Sequence, residues 1–293
     1  MGIFGIPAWV KPHLYEGKNF DDLSTEEVND LRYRLSKFQY EEPEVSIVIP
    51  AWNEQNNIYR ALSSLASNHT TQKVEIVVIN NNSTDRTQEV LDKLGVRNYL
   101  QSIQGTPHAR QMGLMKARGK YHLCADSDTY YNQHWIDAML KPMKANSKIV
   151  GVYGRYSFMP LNGKSRLSLI PYEMITGILI RVRRINREFI NMLGFNMGFV
   201  TEVGRTTGGF EVTQVRKFDN ALNSDYFVDE AEDGRMALNL QKKGSLKLVT
   251  DKRATVFTSS RRLTAEGGLM QSFINRFKLH SGRMKEYVTG GKK

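Results

Sequence analysis

Apolar and polar positions alternate along the first half of the chain in two distinct rhythms. Val45-Ser46-Ile47-Val48-Ile49 is a short β-branched run of the type that forms a strand buried on both faces, and Pro50 predicts its end. Ile58, Leu62 and Leu65 then fall on one helical face. Val74 to Ile79 predicts a second strand, and Ser83 or Thr84 is placed to cap a helix carrying Val90, Leu91 and Leu94, ending at Gly95. A helix is expected from about Pro107 to Arg118 and a strand over Tyr121 to Ala125. Upstream, Ser24 and Glu27 have capping-box spacing before Val28, Leu31 and Leu35, so residues 1–42 read as an extension containing a helix. Strand–helix alternation through about residue 145 predicts an α/β fold with a largely parallel, doubly wound sheet.

The second half is less regular. A basic helical stretch, about 165–190, precedes a glycine-rich run from Gly194 to Gly209. Ala231 to Gly244 reads as a helix, and Leu246–Val249 and Ala254–Phe257 as strands. The tail from Thr264 to Val288 reads as a helix with Met270, Phe273, Ile274, Phe277 and Leu279 largely on one side. Polar residues gather just after the predicted strands: Asn53 and Glu54, then Asn80 to Asp85, then Asp126 to Asp128. In open α/β sheets ligands bind at these carboxyl ends, where helix N-termini also favour phosphate. GxGxxG and GxxxxGK[ST] are both absent from the sequence, which argues against a dinucleotide or P-loop nucleotide.

With 293 residues, 40% of them hydrophobic, the chain can bury a substantial core. The single cysteine, Cys124, excludes an internal disulfide framework and points to a reducing, cytoplasmic setting. Met1 to Val10 lacks the basic start of a secretory signal, and the longest apolar stretch, Leu167 to Ile180, is interrupted by Pro171 and Glu173. The net charge of +11 is uneven. Arg155–Val200 carries seven basic residues against two acidic, and Lys252–Lys293 carries ten against two, so these two segments hold more than the whole excess. Such surfaces suit phosphate-bearing ligands, anionic lipid or nucleic acid.

Asp126-Ser127-Asp128 places two carboxylates two residues apart at a strand end, where they can hold a hard divalent cation against a diphosphate; the same triplet also suits a turn. It is one of six motifs in series. Val48 to Glu54 resembles the P-x-x-N-E of inverting family 2 glycosyltransferases, and Val77 to Thr87 is similar to their V-V-D-D-G-S-x-D-x-T. Gln104 to Gly113 resembles G-x-x-x-A-R-N-x-G, Gly208-Gly209-Phe210 resembles G-G-F, and Asp229 to Asp233 resembles the family's acidic E-D segment.

The resemblance implies a GT-A fold: a Rossmann-like, mostly parallel mixed sheet flanked by helices, as a single domain over 43–262. Its nucleotide-binding half would cover 43–150 and its acceptor half 151–262, with 263–293 as a basic helical tail. It further implies transfer, with inversion, of a sugar from a nucleoside-diphosphate sugar, UDP-linked, to a glycan or lipid-linked hydroxyl. Pro50, Ala51, Glu54, Asn81 and Asp85 would lie along the nucleoside, with Arg110 near its phosphates. Asp126 and Ser127 would lie near the ribose, Asp128 and Asp126 would hold Mg²⁺ or Mn²⁺, and Gly209 would complete the donor site. Asp233 would be the general base, with Glu232 beside it in the catalytic acidic pair. Two departures stand out. Asn80-Asn81 replaces two acids, although an Asn carbonyl can still accept from a base N–H. The late strand continues from Val256 to Arg262 without a histidine, and Arg261 and Arg262 instead offer charge to phosphate.

Two other functions compete. A sugar nucleotidyltransferase would carry a glycine-rich basic loop where this chain has Ala51-Trp52-Asn53-Glu54, and a nucleic-acid-binding protein would carry a recognisable module, which is absent from the sequence. In the basic segments, Leu167, Ile170 and Met174, and again Phe273, Ile274 and Phe277, fall at helical spacing. These are either core positions or the apolar face of helices lying on an anionic membrane, on the inner face of which the enzyme would be peripheral.

Overall fold

The computed structural model describes residues 5–160, 166–212, 232–261, 263 and 269–289, the last stretch with part of its side chains. Strand β1 (Val45–Ala51) lies between β2 (Val74–Asn80) and β4 (Tyr121–Cys124), parallel to both, and β3 (Arg97–Leu100) extends the edge beyond β2. Past β4, the strand β8 (Met197–Val200) runs antiparallel to both β4 and β6 (Ile149–Tyr153), and β9 (Ser245–Leu248) closes the sheet parallel to β6. The resulting order is β3-β2-β1-β4-β8-β6-β9. A second, three-stranded sheet sets β10 (Val256–Thr258) between β5 (Thr129–Tyr130) and β7 (Tyr156–Phe158).

Helices cover both faces of the large sheet. Ile47, Ile49, Ile76 and Val78 join a core with Leu62 of α2 (Ile58–Leu65), Leu91 of α3 (Thr87–Leu94) and Trp135 of α5 (Trp135–Ala145). The alternate residues Val48, Val77 and Ile79 meet Ala109 of α4 (Thr106–Lys116) on the other face, as the two-residue period of a strand requires. A Cβ on Gly113 of α4 would lie 2.2 Å from Val48 Cγ1, so only glycine lets this helix sit so close to the sheet. Leu31 and Leu35 of α1 (Thr25–Ser36) join the first core, behind the Ser24–Glu27 capping box.

Several expectations need correction. Pro50 does not end β1, which continues to Ala51. The Val48 carbonyl bonds Ala125 and the Ala51 carbonyl bonds Asn81, so Pro50's missing donor falls on the β4 side, past the last paired residue of β4. Neither Ser83 nor Thr84 caps α3, which begins at Thr87 with its N–H donating to Asp85 Oδ1 at 2.9 Å. Ala254 belongs to a 3₁₀ turn ahead of β10. The basic stretch contains a single α-helix, α6 (Ile170–Arg183), between two 3₁₀ turns. The glycine-rich run contains β8, and with it α7 (Thr201–Thr206). A Cβ on Gly198 would lie 2.4 Å from Leu123 Cδ2, so the glycine that weakens the strand pattern is what lets β8 pack. Helix α8 (Glu232–Gln241) and a last helix, α9 (Leu269–Thr289), complete the order. In α9 the side chains of Met270, Phe273, Phe277 and Leu279 lie outside the described residues, while Ile274 is exposed. In and beside α6, Leu167 and Met174 are exposed and Ile170 is half-buried, so they are not core. No described helix is long and apolar enough to cross a membrane.

His122 of β4 is the one buried histidine in the large sheet, stacked on Phe199 of β8 with ring centroids 4.7 Å apart and its Nδ1 without a partner. Burial lowers its pKa to about 3, with Arg110 and Arg205 adding to the effect. Because the folded value lies below the unfolded one, its contribution to stability is complete above about pH 6.5 and is lost as pH falls toward 3. His122→Phe keeps the ring stack and removes the titration. Thermal melts from pH 7 down to about 4 should show the variant gaining on the wild type as pH drops. A difference in Tm that stays constant with pH would contradict this.

Candidate functional site

The carboxyl ends of β1, β2 and β4 carry the polar clusters, and side chains knit them together. Asn53, at φ +54°, sits in the left-handed region that Asn tolerates, and its Oδ1 accepts from Thr84 N–H at 2.8 Å. The Asn53 N–H donates to Ser83 Oγ, Glu54 N–H to Thr87 Oγ1 and Gln55 N–H to Asp85 Oδ2. Asp85 therefore serves both as the cap of α3 and as the clasp between the two loops. Pro50 and Ala51 form the strand end beneath them. Asn82, at φ +57°, occupies the place where the family pattern has glycine.

Asn81 is buried, and both ends of its amide are engaged. Nδ2 donates to the Ile103 carbonyl at 2.9 Å, and Oδ1 accepts from Gly105 N–H at 2.8 Å. The residue thus fixes the loop that leads into α4. A carboxylate in its place could accept but not donate, leaving two oxygens opposed at Ile103.

Arg110 of α4 is 5% exposed and reaches across the sheet end. Nη2 donates to Asp126 Oδ1 at 2.7 Å, Nη1 donates to the Gly194 carbonyl at 3.0 Å, and Nε lies 3.6 Å from Glu232 Oε1. Burial alone would lower its pKa, but the surrounding negative charges, Asp126 foremost, outweigh burial and raise it. Glu232, 4% exposed, is turned inward to this cation. Its neighbour Asp233 stays half-buried, accepting from Gly194 N–H at 3.1 Å and from Gly234 N–H at 2.8 Å. One backbone residue, Gly194, therefore touches both the cation and the acid at the start of α8.

A second charge group lies beside it. Thr258 and Thr129 pair across β10 and β5, and Ser259 N–H donates to the Asp128 carbonyl. This docking places Arg261 Nη2 2.8 Å from Asp128 Oδ2 and 2.6 Å from Glu54 Oε1. Burial first, then the Asp128 charge, push the Glu54 carboxyl up to about 7 against the pull of Arg261. Asp128, Arg261, Asn57, Tyr130 and Met159 line a small cavity of about 240 Å³. Ser127 is buried between the two acids, and Gly209 is pinned under Gln111, whose Oε1 accepts from Phe210 N–H. At φ +61°, and with a would-be Cβ 2.2 Å from Gln111, Gly209 admits no side chain. Arg262 lies outside the described residues, as do Asp229 to Ala231.

Other participants are not evident from the pattern. Tyr131 accepts from Asp126 N–H at 2.8 Å and donates to the Phe195 carbonyl, so it aims the acidic loop. Gly194 works only through its backbone, and nothing in a sequence marks such a role. Thr87 and Gln111 do lie inside the motifs and could have been read as supports. Cys124, just before the acids, has its thiol pushed up to about 12 by burial and stays unreactive.

The carboxylates fit a hard cation in part. Asp126 and Asp128 offer oxygen donors at one strand end, with Glu54 held close to Asp128 by their shared partner Arg261. Among the described residues no group of three or more His, Cys, Asp or Glu side chains is arranged to hold a metal, so a bound ligand would have to complete the shell.

Comparison with known proteins agrees with this architecture. The chain is 34% identical over 198 residues to a chondroitin synthase of Pasteurella multocida, covering 66% of this chain and 19% of that protein. It is 28% identical over 127 residues to an uncharacterised glycosyltransferase of Haemophilus influenzae, covering 41% and 50%. The chain thus spans half or less of the length of these two relatives. Its fold resembles a mannosyltransferase of Pyrobaculum calidifontis solved with GDP-Man and Mn²⁺, with a TM-score of 0.57, 16% identity, and coverage of 86% and 72%. It also resembles a glucosyl-3-phosphoglycerate synthase of Mycobacterium tuberculosis solved with Mn²⁺ and UDP-Glc, with a TM-score of 0.51, 17% identity, and coverage of 87% and 82%. These likenesses give the large mixed sheet a GT-A fold. The family model for glycosyl transferase family 2 matches residues 46–205, more than half of the chain, and the chain belongs to that family.

Proposed function

We propose that the chain transfers a sugar, with inversion, from a nucleoside-diphosphate sugar, UDP-linked, to a hydroxyl of a glycan or lipid-linked acceptor. The observation that carries this reading is the convergence of Asp126 and Glu232 on the buried Arg110 at the carboxyl end of the sheet, with Asp233 joined to it through Gly194 and Asp128 held beside it by Arg261. Structural neighbours solved with GDP-Man or UDP-Glc, each with Mn²⁺, support a nucleotide-sugar donor and a divalent cation.

In this reading the donor lies over the ends of β1, β2 and β4, with its base toward the 53–54 and 80–85 loops. Asp128 and Asp126 would hold Mg²⁺ or Mn²⁺, which when bound offsets the charge of the departing diphosphate. Arg261 then exchanges its carboxylate partners for phosphate oxygens, a contact that its planar fork suits. Asp233 takes the proton of the acceptor hydroxyl. The acceptor oxygen bonds to the anomeric carbon as the bond from that carbon to the diphosphate breaks, and this single displacement inverts the centre. A carboxylate has about four lone-pair sites, so the two backbone donors on Asp233 leave room for that hydroxyl. Glu232 neutralises Arg110 and positions Asp233 without touching substrate. The reaction belongs in the cytoplasm, and the basic flanks suit the inner face of an anionic membrane as the place where a lipid-linked acceptor is met.

Two measurements test the assignment. Asp128→Ala should weaken UDP binding by roughly 10-fold or more with Mn²⁺ present and hardly at all in EDTA, as read by calorimetry. Equal losses in both conditions would remove the metal role and leave Arg261 as the charge partner. Asp233→Asn should cut sugar transfer by about 10²-fold or more while UDP affinity stays within a few-fold. A folded Asn variant with near-normal turnover would show that another group is the base.

A further inference from the structure

Helix α6 is unusual among the helices because its sequence, IPYEMITGILIRVR, is largely apolar, yet Ile180 is its only buried residue. Met174 is 65% exposed and Ile178, four residues on, is 55% exposed. Leu167, seven residues before Met174, and Ile185, seven after Ile178, are 54% and 62% exposed. Seven residues is close to two helical turns, so the four side chains form one stripe that runs through α6 and into its flanking turns, roughly 25 Å long. Exposed Arg181, seven residues after Met174, falls in line with the stripe between Ile178 and Ile185, and exposed Arg184, which pairs with Glu188 at 3.4 Å, lies beside it. Helix α9 packs alongside: Asn186 Nδ2 donates to the Tyr287 and Val288 carbonyls, and Arg183 lies over the Tyr287 ring. The exposed residues of α9 include Lys278 and Lys285.

We propose that α6 lies along the surface of an anionic bilayer, with the Leu167–Met174–Ile178–Ile185 stripe in the headgroup region and the arginines on lipid phosphates. The inference rests on the membrane placement proposed above and names the element that makes the contact. A 14-residue helix is too short to span and too basic at its end to enter the hydrocarbon, but an apolar stripe that ends among arginines suits a helix lying in the headgroup region. Charge decides between occupants. A second copy of this face would set Arg181 and Arg184 against their own kind, whereas anionic lipid complements them. The helix is also tied to the site. Glu173 accepts from Phe158 N–H of β7 at 2.8 Å, and Asn191 Nδ2 donates to the Ile180 carbonyl three residues before Gly194. A bilayer that holds α6 therefore also holds the loop that supports Arg110 and Asp233.

The test is co-sedimentation with phosphatidylglycerol-rich vesicles and with pure phosphatidylcholine vesicles, from about 50 mM to about 500 mM NaCl. The wild type should pellet with the anionic vesicles at low salt, leave them as salt rises, and bind phosphatidylcholine weakly. Met174→Glu with Ile178→Glu should lower the anionic partition coefficient at least ~10-fold. Met115→Glu, at a methionine equally exposed on α4, should pellet like the wild type. Melting temperature, and its rise with UDP, report on each variant's fold and donor site independently of lipid. Wild-type protein that stays in the supernatant at low salt overturns the membrane placement and this inference together. Wild-type binding that the paired glutamates leave unchanged overturns α6 as the docking element and leaves the placement standing.

Discussion

The two halves of the chain meet at the carboxyl end of the sheet around one buried cation. Arg110 enters from α4 and is met by Asp126 at the end of β4, by the Gly194 carbonyl, and by Glu232 at the start of α8. Removing a guanidinium from water costs several kcal/mol, and the structure recovers this only because several partners converge on it. Those partners come from both halves of the chain, so satisfying the charge brings the halves together. Lysine would not substitute, because one ammonium cannot reach three separated acceptors with a fixed planar fork. Asp233 inherits its position from this arrangement through Gly194, whose carbonyl serves the arginine while its N–H holds the acid.

The loops beside this cluster are held by backbone donors and short polar side chains. The loops after β1 and β2 clasp each other while Asp85 also accepts from the first N–H of α3, so the same residues fix the helix start and the shape of the strand ends. Asn81 illustrates why departure from an acidic pattern need not damage the fold. Its amide donates to one backbone group and accepts from another, which no carboxylate can do while ionised. One acid is thereby removed from a region where Glu54 already titrates near neutrality.

How much of this was legible in the sequence follows from the range of each interaction. Strands β1, β2 and β4 announce themselves because burial on both faces leaves continuous apolar runs. Edge strand β3, with Arg97, Asn98, Tyr99 and Leu100 none of them buried, has no such signature and went unseen. Strand β8 was hidden by Gly198, whose missing side chain is a packing requirement and reads locally as a loop. The acids themselves were visible as motifs, as was Arg110. That Glu232 and Asp126 would face the same guanidinium, and that Arg261 would bridge Glu54 and Asp128, depends on contacts across more than a hundred residues, which spacing along a chain does not encode. Asp85 is visible in its motif, but Ser83 and Thr84 offer equally suitable oxygens nearby, so spacing alone does not single it out as the acceptor at the start of α3.

The pairing of β5 with β10 has a consequence for how the protein comes into being. Thr129 and Thr258 are neighbours in space, but the intervening chain must be made and folded before they meet. Closing so long a loop is an entropically expensive, late event compared with the local strand–helix units that precede it. On the ribosome the parallel strands can therefore assemble while Asp128 and Glu54 still lack Arg261, leaving two acids close together with no guanidinium between them. The acidic pair beside the site therefore gains its counter-charge only when β10 docks and carries Arg261 to it.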